Sequence, residues 1–177
     1  MAETIKQTEA LPASYPEIAP RWVSGQLTGT DFEPDPAQLW QQIERHVAHR
    51  WTAREVVWIV EGEGDWRPPL TPATIATVEV WENQSWTETT PPPSPFGGYA
   101  LPSDGPYRIT ASVGSGTPPA DVVEAFRRLH EYSRGIVDSF KNEPAFTGGE
   151  EGIPRAWAAK ALHLSGAADL LRNYRRA

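Results

Sequence analysis

The chain has 177 residues, with 16 Lys and Arg against 23 Asp and Glu, a formal charge of −7 and no cysteine. It therefore forms no disulfide and offers no thiolate ligand or nucleophile, and an acidic body repels DNA phosphates, which argues against groove-reading nucleic-acid binding. No apolar run approaches the roughly 18 residues of a membrane span. The opening stretch MAETIKQTEALPASYPEIAP lacks the basic and apolar regions of a signal peptide, so the expected location is cytoplasmic.

Residues 1–34 carry many prolines and little periodicity, and read as an irregular N-terminal arm in which Trp22, Val23 and Leu27 dock locally. The first helix is expected in DPAQLWQQIERHVAHRW. Asp35 suits the N-cap, Pro36 the first helical position, and Gln38 completes a capping box. Leu39, Ile43 and Val47 fall four apart with Trp40 beside them, a helical apolar stripe. Arg45, His46, His49 and Arg50 place positive charge toward the helix C-terminus, where the dipole favours it.

The pattern then changes. EVVWIV, Glu55 to Val60, reads as a buried strand, and TIATVEVWE and PYRITASV as two more. In the last, Tyr107, Ile109, Ala111 and Val113 alternate with polar residues, as a half-buried strand requires. The proline-rich TETTPPPSPFGGYALPSDG between them reads as a loop. Helix returns at TPPADVVEAFRRLHEYSRGIVDSF, with Thr117 as cap, Pro118 and Pro119 in the first turn, and Val122, Phe126, Leu129, Ile136 and Phe140 on one face. Glu124 and Arg128 are spaced for an ion pair worth about 0.3 kcal/mol. Gly135 is placed to kink or weaken this helix. KNEPAFTGGEEG is a linker. After it, Pro154 starts a short helix bearing Trp157, Ala158, Ala161 and Leu162, and Ser165 caps a second bearing Leu170, Leu171 and Tyr174.

These elements predict an α+β chain: a helical bundle with an inserted small antiparallel sheet, an extended N-terminal arm and a C-terminal helical arm. The corresponding division is 1–34 arm, 35–140 core, 141–153 linker and 154–177 docking helices.

Candidate chemistry is sparse. His46 and His49 sit three apart, but no further ligand has recognisable spacing, so a solvated, dipole-compensating pair is the better reading. Glu61, Glu63 and Asp65 alternate with glycines without the spacing or closing Glu of a calcium loop. Gly114-Ser115-Gly116 precedes a helix, but Pro118 and Pro119 remove the N–H donors a phosphate needs. No Ser lies in a nucleophile elbow. Eight tryptophans could serve a small carbohydrate-binding or carbohydrate-active domain, although Trp40, Trp51, Trp58 and Trp81 lie on elements that need a core. No metal, cofactor or catalytic residue is assigned.

The C-terminal segment stands out. From Gly152 onward five bases (Arg155, Lys160, Arg172, Arg175, Arg176) face one acid, Asp169. Its helices are too short to be stable alone, so Trp157, Leu162, Leu170 and Leu171 must be buried on something. One solution is the chain's own core; the other is a groove on a neighbouring subunit or another protein.

In order, a capped helix, WIVEGEGDWRPPLTPATIATVEVWENQSW, YALPSDGPYRITASVGSG and PPADVVEAFRRLHEY make up a pattern that resembles the head–tail connector (adaptor) proteins of long-tailed phages. It is most similar to the adaptor of bacterial gene transfer agents. The resemblance covers about residues 35–177 and is sharpest in GPYRI with its G-x-G turn, in the helix that follows, and in PRAWAAKALHLSGAADLLRNYRR. It implies a non-enzymatic structural protein forming a ring of about a dozen copies below the portal, joining capsid to stopper and tail. DNA would pass through without sequence-specific binding, and no membrane is involved. The place implied is the bacterial cytoplasm during assembly, then the neck of the particle. The segment from Ile153 to Ala177 would be the portal-binding arm. Trp157, Leu162, Leu164, Leu170, Leu171 and Tyr174 would anchor it, and Arg172, Arg175 and Arg176 would make its charged contacts. The expected mechanism is an arm that orders on its neighbour as it binds, so that deleting 153–177 leaves a folded body unable to join a ring.

Overall fold

A computed structural model of the chain describes residues 2–19, 21, 33–141 and 160–175, with backbone only for 137–141. The described residues divide into a sheet unit, Met1–Ser14 with Ala48–Gly116, and a helical unit, Tyr15–Val47 with Thr117–Ala177. Two segments of the chain build each unit.

The sheet unit holds seven strands: β1 Glu3–Glu9, β2 Arg54–Glu61, β3 Gly64–Trp66, β4 Ala73–Glu82, β5 Ser85–Glu88, β6 Tyr99–Leu101 and β7 Tyr107–Val113. Five form an antiparallel sheet in the order β1-β2-β7-β4-β5, and β3 pairs with β6. This corrects the expected helical bundle with an inserted small sheet: strand is the larger part of the architecture, with its own core. The excess comes from segments without an apolar alternation, namely β1 in the arm, β3 in the glycine turn after β2, and β5 and β6 beside the prolines.

β7 is central, and its alternation places Tyr107, Ile109, Ala111 and Val113 in the core with Val56, Trp58 and Val60 of β2 and Val78 and Val80 of β4. Trp66, Leu70 and Leu101 complete that core. β2 is not buried on both faces, because Val57 and Ile59 are half-buried on the face away from Trp58. The buried Tyr107 hydroxyl meets Ser103 Oγ at 2.7 Å and accepts from Ser103 N at 3.0 Å.

β1 binds through polar groups. Trp66 Nε1 donates to Thr4 Oγ1 and Trp58 Nε1 donates to Gln7 Oε1, both at 2.9 Å. Arg50 Nε and Nη2 donate to the two Glu9 carboxylate oxygens at 2.6 and 3.0 Å, and Arg54 Nη1 adds a bond at 3.2 Å. A bulge between Thr4 and Lys6 leaves Ile5 exposed.

In the helical unit, α1 spans Pro36–His46, and the Asp35 carboxylate accepts from Ala37 N at 2.9 Å. The helix ends earlier than its charge pattern suggests. Val47 is already extended at φ −118° and ψ 155°, and His49 makes a bridge to Thr71 in the sheet unit. α2 spans Ala120–Lys141 and runs through Gly135 unbroken, burying Val122, Ala125, Phe126, Leu129 and Ile136. It starts one residue past Pro119, with Asp121 Oδ1 accepting from Val122 N at 2.9 Å. The Arg128–Glu124 pair forms at 3.0 Å. Trp40 is fully buried between Tyr15 and Phe126, and donates from Nε1 to Pro16 O at 2.9 Å.

Candidate functional site

The C-terminal segment comprises α3 Ala161–Leu164, α4 Ala167–Leu170 and a 3-10 turn Arg172–Tyr174. Both short helices pack on α2. Ala161, Ala167 and Leu171 are the buried residues, with Leu171 completely covered. Gly166 joins the two helices at φ 72°, a left-handed conformation that residues with a Cβ enter at a cost of about 1–2 kcal/mol. Ser165 Oγ donates to Leu162 O at 3.3 Å and accepts from Ala167 N at 3.4 Å. A polar clasp closes the segment, where the Tyr174 hydroxyl meets both Asp121 oxygens at 3.0 and 3.1 Å. Burial, reinforced by the Asp121 contact and its charge, raises the Tyr174 pKa, so the phenol is the donor.

The expected portal contacts thus separate by position. Leu171 is completely buried and so unavailable to a partner in this conformation. Leu162, Leu170 and Tyr174 are half-buried. Leu164 is 53% exposed, and Arg172 and Arg175 are exposed, Arg172 making only a 3.4 Å surface pair with Asp169. Trp157 and Arg176 lie outside the described residues, as does most of the linker. Beside Leu164 an open groove of about 510 Å³ is lined by Arg128, Glu131, Tyr132, Gly135, Ile136 and Ser165. It is amphipathic, with the bare backbone of Gly135 and the Ile136 side chain next to one basic and one acidic group.

Sequence reasoning missed a feature of this segment. The His46 ring at the end of α1 meets His163 of α3 edge-on, with centroids 5.5 Å apart. His46 Nε2 is buried without a hydrogen-bond partner. Burial first, then the charges of Arg175 and His163, lower the His46 pKa, against a hydrogen bond with the Ala168 backbone. The sequence signal was present, a histidine in the last turn of a helix, but only the fold shows what the ring faces.

Other candidates resolve into structural parts. His49 lies against Trp51, with centroids 4.8 Å apart. Asp65 accepts from Ser94 Oγ at 2.6 Å. Gly114 passes so close to Thr52 that an added Cβ would lie 2.3 Å from its carbonyl oxygen, which accounts for that glycine without a phosphate. Among the described residues no group of three or more His, Cys, Asp or Glu could hold a metal ion. Of the described tryptophans, Trp40, Trp51, Trp58 and Trp66 are buried, whereas Trp81 is 42% exposed and Trp86 half-buried. No helix among the described residues is long and apolar enough to cross a membrane.

Family models, curated proteins and solved structures were all compared with the chain, and none matches it.

Proposed function

We propose that this chain is a structural adaptor of a phage-like particle, joining portal to stopper or tail in a ring of its own copies. One observation supports this reading more than any other: the two-sided C-terminal segment. Both short helices pack on α2 with Ala161, Ala167 and Leu171 buried, while Leu164 is presented beside an open groove and Arg172 and Arg175 are exposed. A surface with an apolar centre and a cationic rim, held in place before binding, suits protein docking, because little ordering entropy is lost on association. This revises the expected mechanism for residues 160–175: the segment docks as a preformed face and does not wait for its neighbour to order it.

The reading also takes in the acidic sheet unit. Phosphate contacts dominate non-specific DNA affinity, so a net acidic neck component would let DNA pass.

The test uses the single variant Leu164→Asp, at an exposed position beside the groove. Its thermal melt should match the parent while it fails to co-sediment with portal rings. Particles with normal necks built from this variant, or purified particles without the chain, would overturn the proposal.

A further inference from the structure

The sheet unit carries an aromatic patch that none of the foregoing uses. Strand register brings Trp81 of β4 opposite Trp86 of β5, their rings edge-on with centroids 5.2 Å apart. Alternation puts Glu79, Glu88 and Arg108 on the same face, since Glu79 pairs with both Glu88 and Arg108 in the ladder. Arg108 donates to Glu79 at 2.5 and 2.6 Å and lays its guanidinium 4.7 Å from the Trp86 ring centroid. Glu61, exposed at the end of β2, shares this face with Ile59. Among the described residues β5 has no strand on its far side.

Charge decides what such a patch receives. Arg108 is already neutralised by Glu79, leaving Glu3, Glu61 and Glu88 against Lys6 on this face, a net acidic sign. The whole sheet unit holds ten acids against five bases. Two of those bases, Arg50 and Arg54, are tied to Glu9, and Arg67 sits over Phe96. The complementary surface is on the same chain: exposed Lys160, Arg172 and Arg175 against Asp169.

We propose that the Trp81–Trp86 patch of one copy docks the cationic C-terminal face of a second copy, Arg172 and Arg175 lying against the indoles and between Glu61 and Glu88. Arginine over an exposed indole gains cation–π attraction as well as charge pairing, and Trp and Arg are the residues that most often dominate interfaces. Because the two surfaces differ, the contact is head-to-tail, the kind that builds rings where the rotation closes. This inference rests on the adaptor reading only in calling the product a ring; the contact itself follows from the two surfaces.

Charge-swap complementation on the full chain tests it by sedimentation velocity. The parent should self-associate in the micromolar to high-micromolar range and dissociate as salt rises. The patch variant Glu61→Lys with Glu88→Lys, and the tip variant Arg172→Glu with Arg175→Glu, should each be monomeric. Mixed one to one, they should assemble again, since each restores the other's missing sign. Trp81→Ala should weaken association about tenfold. A parent that stays monomeric throughout, swap variants that associate like the parent, or a mixture that fails to assemble overturns the contact. Necks that contain a chain proven monomeric would sink this contact and leave the adaptor reading standing; self-association without portal binding would do the reverse.

Discussion

Glu9 takes three hydrogen bonds from the guanidinium groups of Arg50 and Arg54, whose side chains are 8% and 3% exposed. Removing one partner of a buried ion pair is more costly than never having built it, because the remaining charge stays desolvated. Glu9→Ala should therefore lower stability by about 3 kcal/mol in urea denaturation, and its effect should exceed that of Glu3→Ala, at an exposed position of the same strand. At His46 the argument runs through protons. The fold lowers its pKa, so the unfolded chain binds the proton more readily and stability decreases as the pH is lowered. The contribution is complete above about pH 6.5, the unfolded value, and is lost as pH drops from there toward the folded pKa. His49 shifts in the same direction, through burial and then Arg50. In melts between about pH 7 and about pH 5, His46→Gln should lose less stability than the parent. An unchanged slope would show that the half-buried His46 ring is not the group responsible.

What each element took from the sequence depended on whether its partners were apolar. β7 and α2 were legible because alternation and a three-four spacing report directly which residues meet a core. β1 was not, because its contacts are Thr4, Gln7 and Glu9 reaching indole N–H groups and arginines. In sequence that complementarity is indistinguishable from an ordinary polar arm. The end of α1 was misread for a related reason: His49 and Arg50 continue a favourable charge pattern, but tertiary pairing with Thr71 recruits them to the sheet unit. The C-terminal short helices are too short to be stable alone. The partner of their apolar side was the open question, and both helices pack on α2 of the same chain, with Leu171 completely buried. The β4–β5 hairpin yields a prediction of its own. Asn83 and Gln84 turn with φ 50° and 65°, the paired positive values of a two-residue turn that favours Asn-Gly. Gln84→Gly should raise stability by about 0.5–1 kcal/mol in chemical denaturation, whereas Gln84→Val should lower it.

For the whole molecule, the relation between stability and docking decides how the proposed function must be tested. Had residues 153–177 been a loose arm, deleting them would have separated folding from binding cleanly. Instead both short helices pack on α2 with Ala161, Ala167 and Leu171 buried, so truncation uncovers apolar surface on the helical unit. Leu171→Ala alone should cost about 3 kcal/mol, the usual result of emptying a buried leucine site. A chain ending at Ala159 should melt several degrees below the parent by circular dichroism, about 2–4 °C for each kcal/mol lost. A truncated chain with an unchanged melt would show instead that the segment contributes nothing to the helical unit. The predicted instability means that a failed neck after truncation says little about binding, since an unfolding subunit fails for either reason. A substitution confined to Leu164 avoids this ambiguity, because its side chain faces outward and leaves the Leu171 seat and the Tyr174–Asp121 clasp intact. A variant with the parent's melt and no portal binding therefore measures docking alone.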